Sequence, residues 1–238
     1  YAKGRGGGRR GGNQRPPTVI SNPNDPRLRQ KMKLNIVFVS PNLLIDEWKE
    51  PEPFTWASLL TLDGWRQRWD RYGVQTMRSL FTLSKCMQAI DGFSLRKLKV
   101  ELADIYEQIN RSVAKNDAKR VQENVTEKTF GVLRQEMQDR RKMGWQRVDW
   151  RLSKPVGKIE LLQGRVMQAD DEVFFAQLTC KITSKQALAA YSDEGGSKLV
   201  AGDPETLVDV SEIWVFERGF GKNVFTGKGL KWRLAARL

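Results

Sequence analysis

The sequence predicts an α+β fold, in which helices pack on one face of a curved, mainly antiparallel sheet. Apolar residues recur at helical spacing through residues 55–142, and after Trp145 they alternate with polar residues as strands do. Helices followed by a run of strands are typical of α+β domains. The residues before position 55 are rich in glycine, arginine and proline, which do not build a core, so we expect them to extend from the domain.

We divide the chain into four parts on this basis. They are a Gly/Arg-rich basic arm (residues 1–33), a Pro-rich extended linker (34–54), a Trp-rich amphipathic helical segment (55–92) and an α+β domain (93–238). Within the linker, residues 34–39 (LNIVFV) are expected to form one short strand or an extended anchor.

The Trp-rich segment carries an apolar stripe with steps of three and four residues, which predicts a helix. Gly73 is expected to bend this helix, and Asp91-Gly92 is expected to end it. Arginines occupy its other faces, where either RNA binding or simple solvation would explain them. The stripe begins with Leu59, Leu62, Trp65, Trp69 and Tyr72, and the arginines are Arg66, Arg68 and Arg71.

Three further elements are predicted to be helices with core stripes. Ser94 is a good N-cap for the first, and Asn116-Asp117 stops it and caps the next. Thr126 caps the last, which is expected to end near Lys142. The strands follow. Their clearest stretch is residues 174–182, Gly164 suggests a bulge or turn, and residues 193–204 suggest a surface loop.

Most of the net charge lies in the arm. The chain carries +13, and residues 1–33 account for +8 through nine cations against Asp25. Arginine offers forked donors to phosphate oxygens, and glycine lets the backbone follow an irregular RNA surface. We therefore predict RNA contacts for Lys3, Arg5, Arg9, Arg10, Arg15, Arg27, Arg29, Lys31 and Lys33. An unbound tail and the remnant of a matrix-targeting presequence remain as alternatives.

A second basic cluster follows the last predicted helix, where cations are interleaved with an aromatic residue. Such a mixture can hold a nucleic-acid backbone and stack on a base. The alternative is a helix C-terminus whose cations complement the helix dipole. The predicted RNA-binding residues here are Arg140, Arg141, Lys142, Trp145 and Arg147.

The composition argues against catalysis. The chain has no histidine, which removes Ser-His-Asp chemistry, Cys-His chemistry and most catalytic zinc sites, although carboxylate or lysine catalysis stays open. Cys86 and Cys180 have neither metal-site nor disulfide-framework spacing, so we expect two buried thiols. We predict no enzyme, no metal and no cofactor. Two facing carboxylates in a wet pocket inside the fold would argue otherwise.

Residues 94–238 resemble the Tim44-like domain family. The resemblance rests on a helix that ends in a small residue and an Asn/Asp cap, a Val-Thr-Glu step into the next helix, and two strand motifs near the C-terminus. These features correspond to Ala114, Asn116, Asp117, Val125, Thr126, Glu127, WVFER at 214–218 and KWR at 231–233. The order of these motifs is more specific than any one of them.

The resemblance implies a nuclear-transport-factor-2-like cone. The family includes the matrix tether of the protein-import motor and a protein of the mitochondrial large ribosomal subunit, and the basic arm makes the ribosomal member the nearer match. It therefore implies a structural protein of the mitochondrial matrix, bound to rRNA and to neighbouring large-subunit proteins, with no small-molecule substrate. It also implies a site near the tunnel exit, facing the inner membrane or its insertion machinery. The alternative is a peripheral inner-membrane adaptor or a tether of the import motor.

Overall fold

A computed structural model describes residues 40–50, 56–153, 156–170, 173–192, 198–221 and 231–238. Helices come first and an antiparallel sheet follows, so the α+β class is confirmed. The cone form of that class and the basic arm stay predictions. Residues 1–39, which contain the arm and the strand or anchor predicted at 34–39, lie outside the described residues.

The helical part begins with an irregular helix. A 3₁₀ turn at Trp56–Leu60 leads towards the first α-helix, and a π-helical turn at Trp69–Val74 joins that helix to the second. Gly73, where a bend was predicted, lies in the π turn. The α-helices of the described residues are α1 (Leu62–Arg68), α2 (Gln75–Ala89), α3 (Leu95–Ala114), α4 (Ala118–Asn124) and α5 (Glu127–Lys142).

Two of the predicted helix caps are confirmed. The Ser94 hydroxyl accepts a hydrogen bond from the backbone N–H of Lys97 at 3.2 Å at the start of α3. The Asp117 carboxylate accepts one from the backbone N–H of Arg120, also at 3.2 Å, at the start of α4. Asn116 ends α3 with a positive φ of 56°, a conformation that asparagine tolerates better than most residues.

The sheet is antiparallel throughout, with two strands sharing one edge of β3. β4 pairs along the other edge of β3, and β5 pairs with the second half of β4. β2 pairs with the first half of β3 and β1 with the second half. The strands are β1 (Arg147–Leu152), β2 (Ile159–Asp170), β3 (Val173–Ser192), β4 (Lys198–Gly221) and β5 (Arg233–Arg237).

One side of the sheet, which we call the core face, buries apolar residues against the helices. Trp214 and Phe216 of β4 are fully buried there, and the Trp214 ring lies 4.7 Å from the ring of Tyr106 on α3. The Tyr106 hydroxyl donates to the carboxylate of Glu212 and lies 3.2 Å from the Ser184 hydroxyl. Burial raises the pKa of Tyr106, and the hydrogen bond to Glu212 raises that pKa further.

The other side of the same strands, which we call the strap face, buries polar side chains. Residues 40–46, which we call the strap, are hydrogen-bonded to it. Gln177 of β3 holds the strap by both ends of its amide: its Nε2 donates to the carbonyl of Leu43 at 2.6 Å, and its Oε1 accepts from the backbone N–H of Ile45 at 2.9 Å. The same Nε2 also donates to the carboxylate of Glu217 on β4 at 2.9 Å.

The two ends of the strap have further anchors. At one end, Arg165 of β2 donates from Nε to the Asp46 carboxylate at 2.8 Å, and Gln163 donates to the Asp46 carbonyl at 2.9 Å. At the other end, the Asn42 side chain accepts from the backbone N–H of Lys128 at 3.2 Å. Thr126, the predicted cap of α5, makes no capping bond, so Asn42 caps this helix from outside its own sequence.

Two expectations about the strands were wrong. Residues 198–204, part of the loop predicted at 193–204, are strand, because β4 already begins at Lys198 and pairs with β3 from there. Pairing with β3 overrides the turn-forming residues, and a register shift together with a positive φ of 78° at Gly202 accommodates them. Gly164 is not the irregular position of β2, since the register shifts between Leu161 and Gln163.

Candidate nucleic-acid interface

The predicted basic cluster at the end of α5 lies on one tight turn, whose backbone explains its shape. The Trp145 N–H donates to the carbonyl of Arg140, and the Gly144 N–H donates to the carbonyl of Arg141, both at 3.0 Å. These two bonds define a Schellman motif, which needs a left-handed residue, and Gly144 supplies it with φ of 80°. The turn then enters β1 through a bond from Gln146 to Tyr191.

We call Arg140, Arg141, Lys142, Trp145 and Arg147 the basic turn. The side chains of Arg141, Lys142 and Arg147 are exposed, and those of Arg140 and Trp145 are half-buried. Four cations stand against Asp139 and Asp149, so residues 139–149 carry a net charge of +2. The five predicted residues therefore lie together, on a surface with an excess of positive charge.

Neighbouring side chains contact three of the cations, namely Lys142, Arg141 and Arg147. The Lys142 ammonium lies 3.0 Å from the Asp139 carboxylate, and hydrogen bonds from Lys142 and Gln135 hold the pKa of Asp139 below its ordinary value. With the Asn116 amide turned so that its oxygen faces Arg141, Nε of Arg141 donates to that oxygen at 2.8 Å. These partners orient the cations, and the ion pair is exposed enough for a phosphate to compete with the carboxylate.

Arg147 forms the aromatic part of this surface together with a residue that the sequence did not reveal. Its guanidinium lies 4.2 Å from the ring centroid of Tyr191, its direct partner in the β1–β3 ladder. It also lies 3.3 Å from the Asp149 carboxylate. A guanidinium that stacks on a ring presents its donors at the edge, where a phosphate can compete with the exposed Asp149 carboxylate.

The other predicted RNA-binding residues lie outside the described part of the chain. These are the nine cations of the arm, from Lys3 to Lys33. Tyr191 and Asn116 were missed, since each comes from a different element and only the folded chain brings it to the basic turn. The ladder register that pairs Arg147 with Tyr191 has no local signal in the sequence.

The Trp-rich segment presents a second exposed surface. Its predicted stripe is mostly not buried: Trp56 is 80 % exposed, Trp69 is 73 % and Tyr72 is 70 %. Arg66 is exposed, whereas Arg68 is half-buried with its guanidinium 5.8 Å from the Trp65 ring centroid. Among the described side chains of this segment, those that enter the core as buried residues are Leu83 and Cys86, near the end of α2. A set of exposed aromatic residues of this size indicates a contact surface.

The described residues give little sign of catalytic or metal chemistry. They contain no group of three or more side chains able to hold a metal ion. Within the same ranges, no helix has both the length and the apolar character needed to cross a bilayer. Cys86 and Cys180 are free and buried as predicted, and burial raises the pKa of their thiols to about 11 and about 12.

Comparison with known proteins gives a family and one named relative. A family model described as the Tim44-like domain matches residues 81–237, beginning within α2. The large ribosomal subunit protein mL45 of Drosophila melanogaster is 26 % identical over 192 residues, which is 80 % of this chain. The chain spans about half of that relative, 49 % of its length.

Among solved structures, the intermembrane space region of the chloroplast protein ARC6 aligns with 61 % of this chain and 95 % of its own. The sequence identity is 10 % and the TM-score is 0.34.

Proposed function

The chain belongs to the Tim44-like domain family, and from this membership we propose that it is a structural component of the mitochondrial large ribosomal subunit. The observation that carries the proposal is the likeness to mL45, which extends over 80 % of the chain. In this role the protein binds rRNA and neighbouring large-subunit proteins, catalyses no reaction and resides in the mitochondrial matrix. We further propose a position near the tunnel exit, on the side that faces the inner membrane.

RNA binding in this proposal has two parts. The arm supplies nine cations on a glycine-rich backbone that can follow an irregular surface. The basic turn supplies a smaller, preorganised contact, because its backbone is fixed by the Schellman motif and Arg147 is fixed on Tyr191. Preorganisation matters since ordering flexible cations on binding costs conformational entropy.

Sedimentation tests the assembly. We expect the protein to co-sediment with the large ribosomal subunit at moderate salt and to form crosslinks to rRNA. Deleting residues 1–33 should weaken this association while leaving the melting temperature of the free protein within about 2 °C, since the sequence of the arm has no apolar stripe that predicts a core element. Recovery of the protein only in membrane fractions, without rRNA crosslinks, would contradict the ribosomal role.

The basic turn has its own test, with a matched control. The logarithm of the RNA-binding constant falls linearly with the logarithm of the salt concentration, and each phosphate that the protein neutralises makes the fall steeper by about 0.7–0.9. The triple variant Arg141→Gln, Lys142→Gln, Arg147→Gln should therefore make the slope shallower by roughly 2 to 3. The control Arg96→Gln, Lys119→Gln, Arg134→Gln removes equal charge from exposed positions elsewhere and should leave the slope unchanged. Equal decreases in both triples would mean that only net charge matters.

A second candidate is a peripheral inner-membrane adaptor or a tether of the import motor. The exposed tryptophans of the Trp-rich segment, mixed with arginines, favour it, because such residues accumulate at bilayer interfaces. Flotation of the ribosome-free protein with anionic vesicles separates the two roles. Binding that disappears in a Trp56→Ser, Trp69→Ser variant would support the adaptor, and rRNA crosslinks without flotation would exclude it.

A further inference from the structure

A recess of about 180 Å³ lies beside the strap, where α5 meets β5, and the core residue Leu133 forms part of its lining. The strap forms one wall, the first half of α5 forms another, and β5 with the end of β4 forms the floor. A water molecule takes about 30 Å³ in the liquid, so the recess has room for about six non-hydrogen atoms. It lies apart from the basic turn, which is at the other end of α5.

Glu217 gives the recess its chemistry. Its side chain is 1 % exposed and forms part of the wall. One carboxylate oxygen, Oε2, accepts from Gln177 at 2.9 Å, whereas Oε1 is buried and has no hydrogen-bond partner. A buried carboxylate oxygen needs a donor, and leaving one unpaired costs free energy. The unpaired oxygen therefore points to a hydrogen-bond donor that the described protein atoms do not supply.

Most of the other polar side chains around the recess already have partners, and the exposed Lys128 also lines it. The Arg237 guanidinium donates to both oxygens of Glu136, at 2.7 and 2.6 Å. The remaining wall is largely aliphatic, with Leu43, Leu44 and Val132. A ligand that fits combines one strong donor for Glu217 with a short apolar body.

An internal partner for Glu217 is the main competing explanation. Arg233 lies directly opposite Glu217 in the β4–β5 ladder, and its own Nε is buried without a hydrogen-bond partner. The two groups are neighbours, yet no hydrogen bond or ion pair joins them in the structure. A pairing of these two side chains in solution would remove the need for a ligand.

Glu136 and Glu217 place two carboxylates in one recess, and a pair of facing carboxylates is the arrangement that would argue for catalysis. They do not form an acid–base pair, because Glu136 is held by Arg237 and Glu217 is held by Gln177. Glu217 also lies on the strap face of β4, opposite the core residues Trp214 and Phe216. We therefore treat the recess as a binding site and not as a catalytic one.

We propose that the recess binds a free aliphatic amine of about four to six non-hydrogen atoms. Its ammonium group donates to Oε1 of Glu217, and its carbon chain packs against Leu43, Leu44 and Val132. The proposal is independent of the ribosomal role, since it rests on residues of the strap, α5, β4 and β5. The amine is a bound ligand and undergoes no reaction.

Amine binding at Glu217 is expected to stabilise the strap through Gln177. This side chain holds Glu217 with the same nitrogen that holds the Leu43 carbonyl, and its oxygen holds the Ile45 N–H. An amine on Glu217 fixes the carboxylate and thereby the amide of Gln177. The strap should then open less often, which is measurable as slower hydrogen exchange at the Ile45 amide.

The test uses the full chain, with n-butylamine and 1,4-diaminobutane as probes and 1-butanol as the neutral analogue. Calorimetric titration should give saturable binding of both amines and about tenfold weaker binding of butanol. Exchange at Ile45 should slow with the amines alone. Butanol binding as tightly as butylamine would overturn the proposal, because it would leave no part for the carboxylate, and this comparison needs no variant.

Two matched carboxylate variants complete the test. Glu217→Gln should weaken amine binding about tenfold or more, whereas Glu136→Gln at the rim should change it less than twofold. A melting temperature near that of the parent protein would show that Glu217→Gln is folded. Unchanged amine affinity in Glu217→Gln would overturn the proposal. An absence of amine binding to the parent protein would also overturn it, and a stability coupling between Glu217 and Arg233 in a double-mutant cycle would then identify the internal partner.

Discussion

The core face and the strap face of the sheet are made by the same strands, yet they are buried by different chemistry. On the core face, Trp214 packs against Tyr106 of α3 and against Phe216, and most contacts are apolar with no required direction. The hydrogen bond from Tyr106 to Glu212 is the exception described above. On the strap face, Gln177 and Glu217 are also almost fully buried, but they are held by hydrogen bonds. The core face can therefore tolerate repacking, whereas the strap face needs one particular set of donors and acceptors.

The largest effect is expected from a substitution that disrupts the core face. Trp214→Ala removes a fully buried indole that contacts Tyr106, so the free energy of unfolding in urea should fall by about 3–5 kcal/mol. Alkylation of the buried thiols Cys86 and Cys180 should accelerate, because opening of the core exposes them. Trp69→Ala is the matched control, since Trp69 is 73 % exposed, and a comparable destabilisation there would contradict this division of the surface.

A smaller effect is expected when the strap face is broken. Gln177→Leu keeps the volume but leaves the Leu43 carbonyl, the Ile45 N–H and one Glu217 oxygen without their partner. Because the strap can then open and let water reach these groups, we expect a total cost near that of one unpaired group, about 1–3 kcal/mol. Hydrogen exchange at Ile45 should become fast.

Thiol alkylation distinguishes the two faces in that variant. Cys86 and Cys180 should stay as protected in Gln177→Leu as in the parent protein, because both belong to the core face. Gln122→Leu, at an exposed position on α4, should change neither readout. Faster alkylation in Gln177→Leu would mean that the two faces unfold as one unit.

The smallest effect concerns the cap that the strap gives to α5. Asn42→Ala removes the acceptor of the Lys128 N–H and should cost about 1 kcal/mol, as should Ser94→Ala at the start of α3. The two caps differ in their dependence on the strap. In a Gln177→Leu background the cost of Asn42→Ala should largely vanish, whereas the cost of Ser94→Ala should add in full. Full additivity of both would show that Asn42 stays in place without Gln177.

The same contrast explains how much of the fold the sequence predicts. Ser94 and Asp117 were assigned as caps correctly, because a capping bond joins residues three positions apart. The strand at 174–182 was also correct, since alternation along one strand is a local signal. The start of β4 was predicted too far along the chain, because its first residues are strand only through their pairing with β3.

The candidate site divides in the same way. The basic turn was predicted because its members are adjacent in the sequence, whereas Tyr191 depends on the register of a distant strand. Buried polar residues such as Gln177, Arg165 and Glu217 gave no signal, since glutamine, arginine and glutamate in a strand usually indicate a solvated face. The exposure of the Trp-rich stripe was missed because apolar residues at helical spacing usually indicate a face that packs on the core.

The strap also decides how the body responds to tension from its N-terminal side. A pull that enters at residue 40 reaches the Asn42 contact first, then the Gln177 fork, and last the bonds of Asp46 with Gln163 and Arg165. These contacts can yield one after another while the strands of the sheet remain paired. We therefore expect the contacts of the strap to yield before the hydrogen bonds between β3 and β4 when residue 40 is pulled.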